Sequence, residues 1–232
     1  MKILIGGPVY QRDWILGEWF DAIERQTIPL SDLGFIFELG PDDELTHKVL
    51  TEWHAAHPEV QSFDMRVMPK LKHRAHPDGR RIWRAKEGDY SRMSTLRNSI
   101  LERVRCIRPE RFFSLDSDIL LEHPQTLEYL YHLTETKDAV SPLCYMFPKD
   151  KAYPNIMSWA GVPGLRACRM VGTYPKMTVF KADIIMAAVM MTPRVYDSVN
   201  YKDHPQGEDP GWSFECYKAG IELWSASNIY CP

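Results

Sequence analysis

Asp116, Ser117 and Asp118 follow the apolar run Arg111-Phe112-Phe113-Ser114-Leu115, so two carboxylates stand one residue apart at the end of what reads as a buried strand. Side chains alternate along an extended backbone, which predicts that Asp116 and Asp118 share one face while Ser117 lies opposite. A pair of hard carboxylate oxygens selects magnesium or manganese over zinc and leaves coordination positions for phosphate. The chemistry of this spacing is a divalent cation, Mn2+ or Mg2+, holding a nucleotide diphosphate.

Two other readings of the same residues compete with that one. Aspartates end strands because they cap turns, a purely structural role. In a haloacid-dehalogenase-like phosphatase the first aspartate of such a pair is a nucleophile and the second a general acid. That arrangement puts the pair after the first strand and follows it with Thr or Val. Here it comes after about 115 residues, with Leu120 at the Thr/Val position.

Composition bounds the rest. At 232 residues with 44% apolar content the chain can bury a core, and one domain is expected. No stretch approaches the ~20 uninterrupted apolar residues of a membrane span, and Lys2-Ile3-Leu4-Ile5 runs into Gly6-Gly7-Pro8 too soon for a secretory signal. The expectation is a cytoplasmic protein. Cys106, Cys144, Cys168, Cys216 and Cys231 show no Cys-x-x-Cys spacing, which argues against a disulfide framework or a zinc site.

The net charge of −3 is unevenly spread. Residues 66–111 hold fourteen Lys/Arg against five Asp/Glu, a local +9 that leaves −12 elsewhere. A basic stretch interspersed with Trp83 and Tyr90 implies an anionic partner: donor phosphates, or DNA or another polyanion as acceptor. Its two competitors are a non-catalytic nucleic-acid-binding module and a solvated surface balanced by acidic neighbours.

Short apolar strands alternate with segments of helical period, the pattern of an α/β domain with a mainly parallel central sheet flanked by helices. Expected strands are 2–5, 35–39, 64–68, 111–115, 139–143, 177–180 and 184–191. A first helix, capped by Asp13, turns Ile15, Leu16, Trp19, Phe20 and Ile23 to one face. Others run over 44–56 and over 92–106, the latter with Met93, Leu96, Ile100 and Val104 as its core stripe, and a fourth begins at Pro124. Residues 69–90 and 144–176 read as long loops suited to binding.

With these elements in place the chain resembles a GT-A fold glycosyltransferase of the family 2 type. Four stretches carry the likeness: Ile3-Leu4-Ile5-Gly6-Gly7-Pro8-Val9-Tyr10, Phe35-Ile36-Phe37-Glu38, Met93-Ser94-Thr95-Leu96-Arg97-Asn98 before the Asp-x-Asp strand, and Gly207-Glu208-Asp209 opening a helix that ends at Gly220. Their order and intervals suit the family, with eighteen positions from Asn98 to Asp116 and about ninety from Asp118 to Asp209.

The resemblance implies a Rossmann-like nucleotide-sugar half over 1–121 and an acceptor-binding, catalytic half over 122–232. Pro8 and Tyr10 would meet the donor's base, and Glu38 the base or ribose. Asp118, assisted by Asp116, would anchor the cation against the diphosphate of a UDP- or GDP-sugar. Arg97 and Arg92 would reach phosphate or base, unless Arg97 is instead a structural partner of Glu38. Asp209 would be the base that deprotonates a hydroxyl acceptor during an inverting displacement, beside Glu208. As an N-cap before Pro210, Asp209 would have its ionised form favoured by the helix terminus. Trp159 and Trp212 are either sugar-stacking or core residues. Enzymes of this kind often draw a third metal ligand, a histidine, from beyond the last strand. In this sequence the alternatives are a histidine beyond Pro232, His204 in its place, or the two aspartates with the diphosphate alone.

Overall fold

In the computed structural model of the chain, residues 1–69, 87–147, 152–163 and 168–231 are described. The N-terminal part alternates strictly: β1 (Ile3–Val9), α1 (Leu16–Glu24), β2 (Leu33–Leu39), α2 (Glu44–Ala56), β3 (Ser62–Val67), α3 (Glu87–Ile107) and β4 (Arg111–Leu115). After α4 (Thr126–Leu133) come β5 (Ala139–Phe147), β6 (Ala152–Pro154), β7 (Ile156–Trp159), β8 (Cys168–Met170), β9 (Val179–Lys181), β10 (Ile184–Ile185) and β11 (Ala188–Met191). The chain then adds α5 (Pro193–Ser198), α6 (Glu208–Lys218) and β12 (Leu223–Cys231).

The main sheet runs β3-β2-β1-β4-β11-β5-β12-β9, and a small antiparallel sheet runs β10-β7-β8. β3, β2, β1 and β4 pair in parallel, as do β5 and β12, while β11 is antiparallel to both β4 and β5, and β9 to β12. The α/β fold with a mainly parallel sheet is the expected one. Apolar side chains cover both sheet faces, so two cores form. One gathers Trp19, Phe20, Phe35, Phe37, Leu127 and Leu130 under α1, α2 and α4. The other gathers Leu4, Ile100, Val104, Val195, Trp212 and Cys216 under α3, α5 and α6.

Several local expectations are corrected. β1 does not stop at Ile5 but continues through Gly6-Gly7-Pro8, because a side chain at Gly6 would sit 1.7 Å from the Ile36 carbonyl oxygen and glycine alone lets β2 approach. Pro8 is thus a strand residue opposite Glu38, past Gly6 where the pairing with β4 ends, so its missing N–H disrupts no bond to β4. α1 begins at Leu16 after Ile15, not at an Asp13 cap. The strand expected over 184–191 is two, β10 and β11, because Ala187 adopts φ +66 and turns the chain from one sheet to the other. The expected loop over 144–176 contains the end of β5 and strands β6, β7 and β8, and residues 87–90 belong to α3.

α6 also begins differently. Its N-cap is Gly207, at φ +127, so Glu208 and Asp209 both lie within the first turn and Asp209 is not the cap. Gly211, one turn on, packs so tightly that a Cβ there would meet the Lys202 carbonyl oxygen at 1.9 Å. Backbone cannot yield as a side chain does, so Gly211→Ala is expected to cost about 1–3 kcal/mol, read as a lowered denaturant midpoint.

Candidate functional site

The site is assembled where β4 and β1 end and α6 begins. β4 stops at Leu115, and Asp116-Ser117-Asp118 forms a turn closed by the Ile119 N–H donating to the Asp116 carbonyl at 3.1 Å. The two carboxylates therefore leave a turn and not one face of a strand. Ser117 between them is buried, 5% exposed. The Asp116 N–H donates to the carbonyl of Ala187 at 2.8 Å, so the left-handed residue that splits β10 from β11 also fixes the turn.

Each aspartate has an arginine. Arg12, in the loop after β1, donates to Asp118 Oδ2 at 3.1 Å, with both side chains partly exposed. Arg97, on α3, donates from NH2 to Asp116 Oδ1 at 2.8 Å, from NH1 to Ser114 Oγ at 3.2 Å and from Nε to Glu208 Oε1 at 3.2 Å. Its guanidinium also lies 5.5 Å from the centre of the Tyr201 ring. At 5% exposure it is a buried cation that joins the Asp-x-Asp turn to the first turn of α6. Asn98, the next residue, fixes the remaining wall: its amide donates to the Tyr201 carbonyl at 2.9 Å and accepts from the Tyr201 N–H at 2.7 Å.

Burial dominates the electrostatics. It would lower the pKa of Arg97, but Asp116, Asp209, Tyr201 and Glu208 together raise it well above the ordinary value. Asp116 is raised, chiefly because protein encloses it; its ion pair and hydrogen bond with Arg97 oppose this, and Asp118 and Glu208 add to it. Asp209 is pushed by burial up to about 8, against the pull of Arg97. The expected lowering by the helix terminus is overridden, because a dipole effect of about 0.3–1 kcal/mol is small beside desolvation of a carboxylate.

The other expected residues are placed as follows. Glu38 is not offered to a ligand: it is 1% exposed, points under α3, and accepts from Ser99 Oγ at 2.7 Å and Arg103 NH2 at 3.1 Å. Its arginine is therefore Arg103, not Arg97. Tyr10 is 47% exposed and lies over Gly40 at the end of β2. Pro8 and Arg92 are half-buried. Trp212 is 1% exposed and stacks on Tyr201 at 5.7 Å, which makes it a core residue. Trp159 is half-buried beside His204 and Phe214, with ring centres 5.9 and 6.2 Å away. His204 accepts from the Gln206 N–H, and burial lowers its pKa. Arg12 was not expected; a single arginine in a polar loop carries no periodic signal.

Seven of the fourteen Lys/Arg of the basic stretch lie in 70–86, outside the described residues. Of the remainder, Arg97, Arg103, Arg105, Arg108 and Arg111 are bound within the protein. Arg103 pairs with Glu38 and Asp64, Arg105 caps the Tyr196 and Val199 carbonyls, Arg108 pairs with Asp197, and Arg111 holds Thr134. These five are engaged within the protein, Arg108 at its surface with a side chain 62% exposed.

Among the described residues no group of three or more His, Cys, Asp or Glu forms a metal cage, and no helix is long and apolar enough to cross a membrane. The Asp116–Asp118 turn nevertheless suits a hard cation. Its arginine bonds use Oδ1 of Asp116 and Oδ2 of Asp118, leaving one oxygen of each carboxylate outside these pairs. Magnesium-type sites commonly use one or two carboxylates plus substrate phosphates.

No protein-family model matches the sequence, and no curated protein matches it. Solved structures do resemble the fold. The mannosyltransferase PcManGT from Pyrobaculum calidifontis, in complex with GDP-Man and Mn2+, superposes with a TM-score of 0.62 at 15% identity over 99% of this chain and 56% of its own. S. aureus TarS 1-349 in complex with UDP-GlcNAc gives 0.62 at 12% identity over 100% of this chain and 57% of its own. The chain thus spans a little over half the length of these structures. Sheet order, the reversed strand β11 beside β4 and these superpositions together establish that the chain has a GT-A-type glycosyltransferase fold.

Proposed function

We propose that the chain is a glycosyltransferase that moves a sugar from a UDP- or GDP-sugar to a hydroxyl acceptor by direct, inverting displacement. Residues 1–121 serve the donor and residues 122–232 the acceptor. The observation that carries this reading is the Arg97 junction, which ties the Asp116 turn to Glu208 and brings Asp209 within its field, in a fold otherwise seen holding GDP-Man and UDP-GlcNAc.

Around the junction Asp116, Asp118, Glu208 and Asp209 face Arg97 and Arg12, an excess of acid that favours a divalent cation. Asp116 and Asp118 would hold Mn2+ or Mg2+, which when bound offsets the charge growing on the departing diphosphate. Arg97 fixes the direction of Asp116 and Glu208 with three of its five N–H groups, which leaves one N–H on each terminal nitrogen for a donor phosphate. Asp209 accepts the proton of the attacking hydroxyl, and its raised pKa makes its ionised form a stronger base. Glu208 is spent on Arg97 and orients the first turn of α6. Pro8, near the end of β1, and exposed Tyr10 just beyond it would meet the nucleobase.

Thermal melting tests this reading. UDP or GDP with manganese is expected to raise the melting temperature, by about 2.7 kcal/mol of added stability at a hundredfold excess over the dissociation constant. Nucleotide without metal should do far less, and Asp116→Asn with Asp118→Asn should abolish the gain. If neither nucleotide shifts melting with manganese or magnesium, the proposal fails.

A further inference from the structure

A concavity that the transfer described above does not use begins four residues after Asp118, at Glu122. It is a cleft of about 560 Å³ between the start of α4 and the C-terminal half of β12, lined by Glu122, His123, Gln125, Tyr129, Asn228 and Tyr230 among others. α4 packs into the core beneath α1 and α2, whereas Arg97 and Asp209 come from α3 and α6 on the other side. Its β12 wall lies three strand steps from β4, about 14 Å at a spacing of ~4.8 Å, while its other wall continues directly from the Asp116–Asp118 turn. None of the cleft's residues takes part in the transfer described above.

The walls are built, not incidental. Gln26, 7% exposed, donates from one amide nitrogen to the carbonyls of Ala22, Leu121 and His123 at 3.0–3.2 Å and accepts from the Leu127 N–H at 3.1 Å. The Thr27 N–H adds a bond to the Pro124 carbonyl at 2.8 Å. The facing wall is the irregularity in β12 between Ala226 and Tyr230, where Ser227 is bound to Thr178 and Pro175 and leaves Asn228 exposed. The Asn228 amide donates to the Tyr129 hydroxyl at 2.6 Å, joining the walls.

The lining selects a ligand class. Among the described residues its lining contains no Lys or Arg, so a phosphate would find no fixed positive charge to repay its desolvation, and Glu122 opposes an anion. Two tyrosine rings offer flat apolar surface with polar edges, and Glu122, Gln125 and Asn228 offer both donors and acceptors. Rings that cover an apolar face, with convergent amide and carboxylate groups at the rim, match a neutral pyranose, and the volume falls within the usual range for small-ligand sites. We propose that this cleft is a carbohydrate subsite that holds a neutral sugar unit of the acceptor away from the reacting hydroxyl. Its assignment to the acceptor rests on the transferase reading; its binding of neutral sugar does not.

The test uses the full chain with maltotriose, mannotriose and chitotriose as probes, followed by saturation-transfer NMR and calorimetry. At least one is expected to bind with a millimolar dissociation constant. Glu122→Ala with Gln125→Ala, both at exposed positions, should weaken it at least about tenfold, some 1.4 kcal/mol, without changing the melting temperature or the shift produced by manganese and UDP or GDP. Binding that survives the double variant, or absence of binding by all three probes, overturns the subsite. A thymidine oligonucleotide that binds the cleft and is lost in the same variant overturns it in favour of a polyanion. Sugar binding without any nucleotide-dependent shift upholds the cleft and removes only its role in transfer.

Discussion

Asp209→Asn is expected to lower kcat by about 10²- to 10⁴-fold, the range associated with loss of a positioned general base, while the protein remains folded. Asparagine keeps the shape of the carboxyl and, like its protonated form, carries no charge. Burial holds the Asp209 pKa at about 8, so in the wild type the basic form grows as pH rises through that value. The kcat/KM of the wild type should climb accordingly and level off above about 8, and the variant should lose that limb. Stability runs the other way. The folded pKa lies above the ordinary 3.8, so the folded state holds a proton that the unfolded state has released, and stability is lost as pH rises from about 4 to 8. An asparagine amide does not titrate, so melting curves of the variant should gain on those of the wild type toward alkaline pH. A pH-independent kcat/KM across this window would remove Asp209 from the role of base.

Arg97→Leu should be the most damaging single change to stability. It leaves Asp116 and Glu208 enclosed without the cation that both now share. Breaking a buried ion pair on one side costs about 3–5 kcal/mol, which in a domain of this length is a fall in melting temperature of about 6–20 °C. The deficit has a signature in pH. Asp116 and Asp209 already have raised pKa values, and without Arg97 they rise further, so acidification neutralises the stranded charges and the gap to the wild type narrows. Arg97→Lys retains one bond of the three and should fall between. A gap that stays constant from about pH 5 to 8 would mean that the loss is one of packing and not of charge.

The order of strands and helices was legible because it rests on local patterns: Ile3-Leu4-Ile5, Phe35-Ile36-Phe37 and Arg111–Leu115 are compact apolar runs, and Leu96, Ile100 and Val104 repeat at helical spacing. β12 was not legible, because the polar Ser225-Ala226-Ser227-Asn228 interrupts it at the irregularity and breaks any alternation. The site was legible in residue type and not in partnership. Arg97 meets Asp116 at 19 positions' separation and Glu208 at 111, distances at which no spacing rule operates. The idea that alternation aims both aspartates failed because β4 ends one residue before them. Glu38 misled for the converse reason: as a strand-end acid it looked available, yet even spacing from Ile36 commits it to the face under α3.

The Arg97 junction bears on the order in which the polypeptide is made. Translation releases the N-terminal strands first, and domains consolidate as they emerge. Until position 208 leaves the ribosome, the guanidinium lacks one of its acids, because the contact spans a sequence separation of 111 positions. The parallel N-terminal sheet can therefore form with Arg97 held by Ser114 and Asp116 alone, and α6 adds its second acid later. The link between the Asp116 turn and Glu208 is therefore complete only once α6 is present.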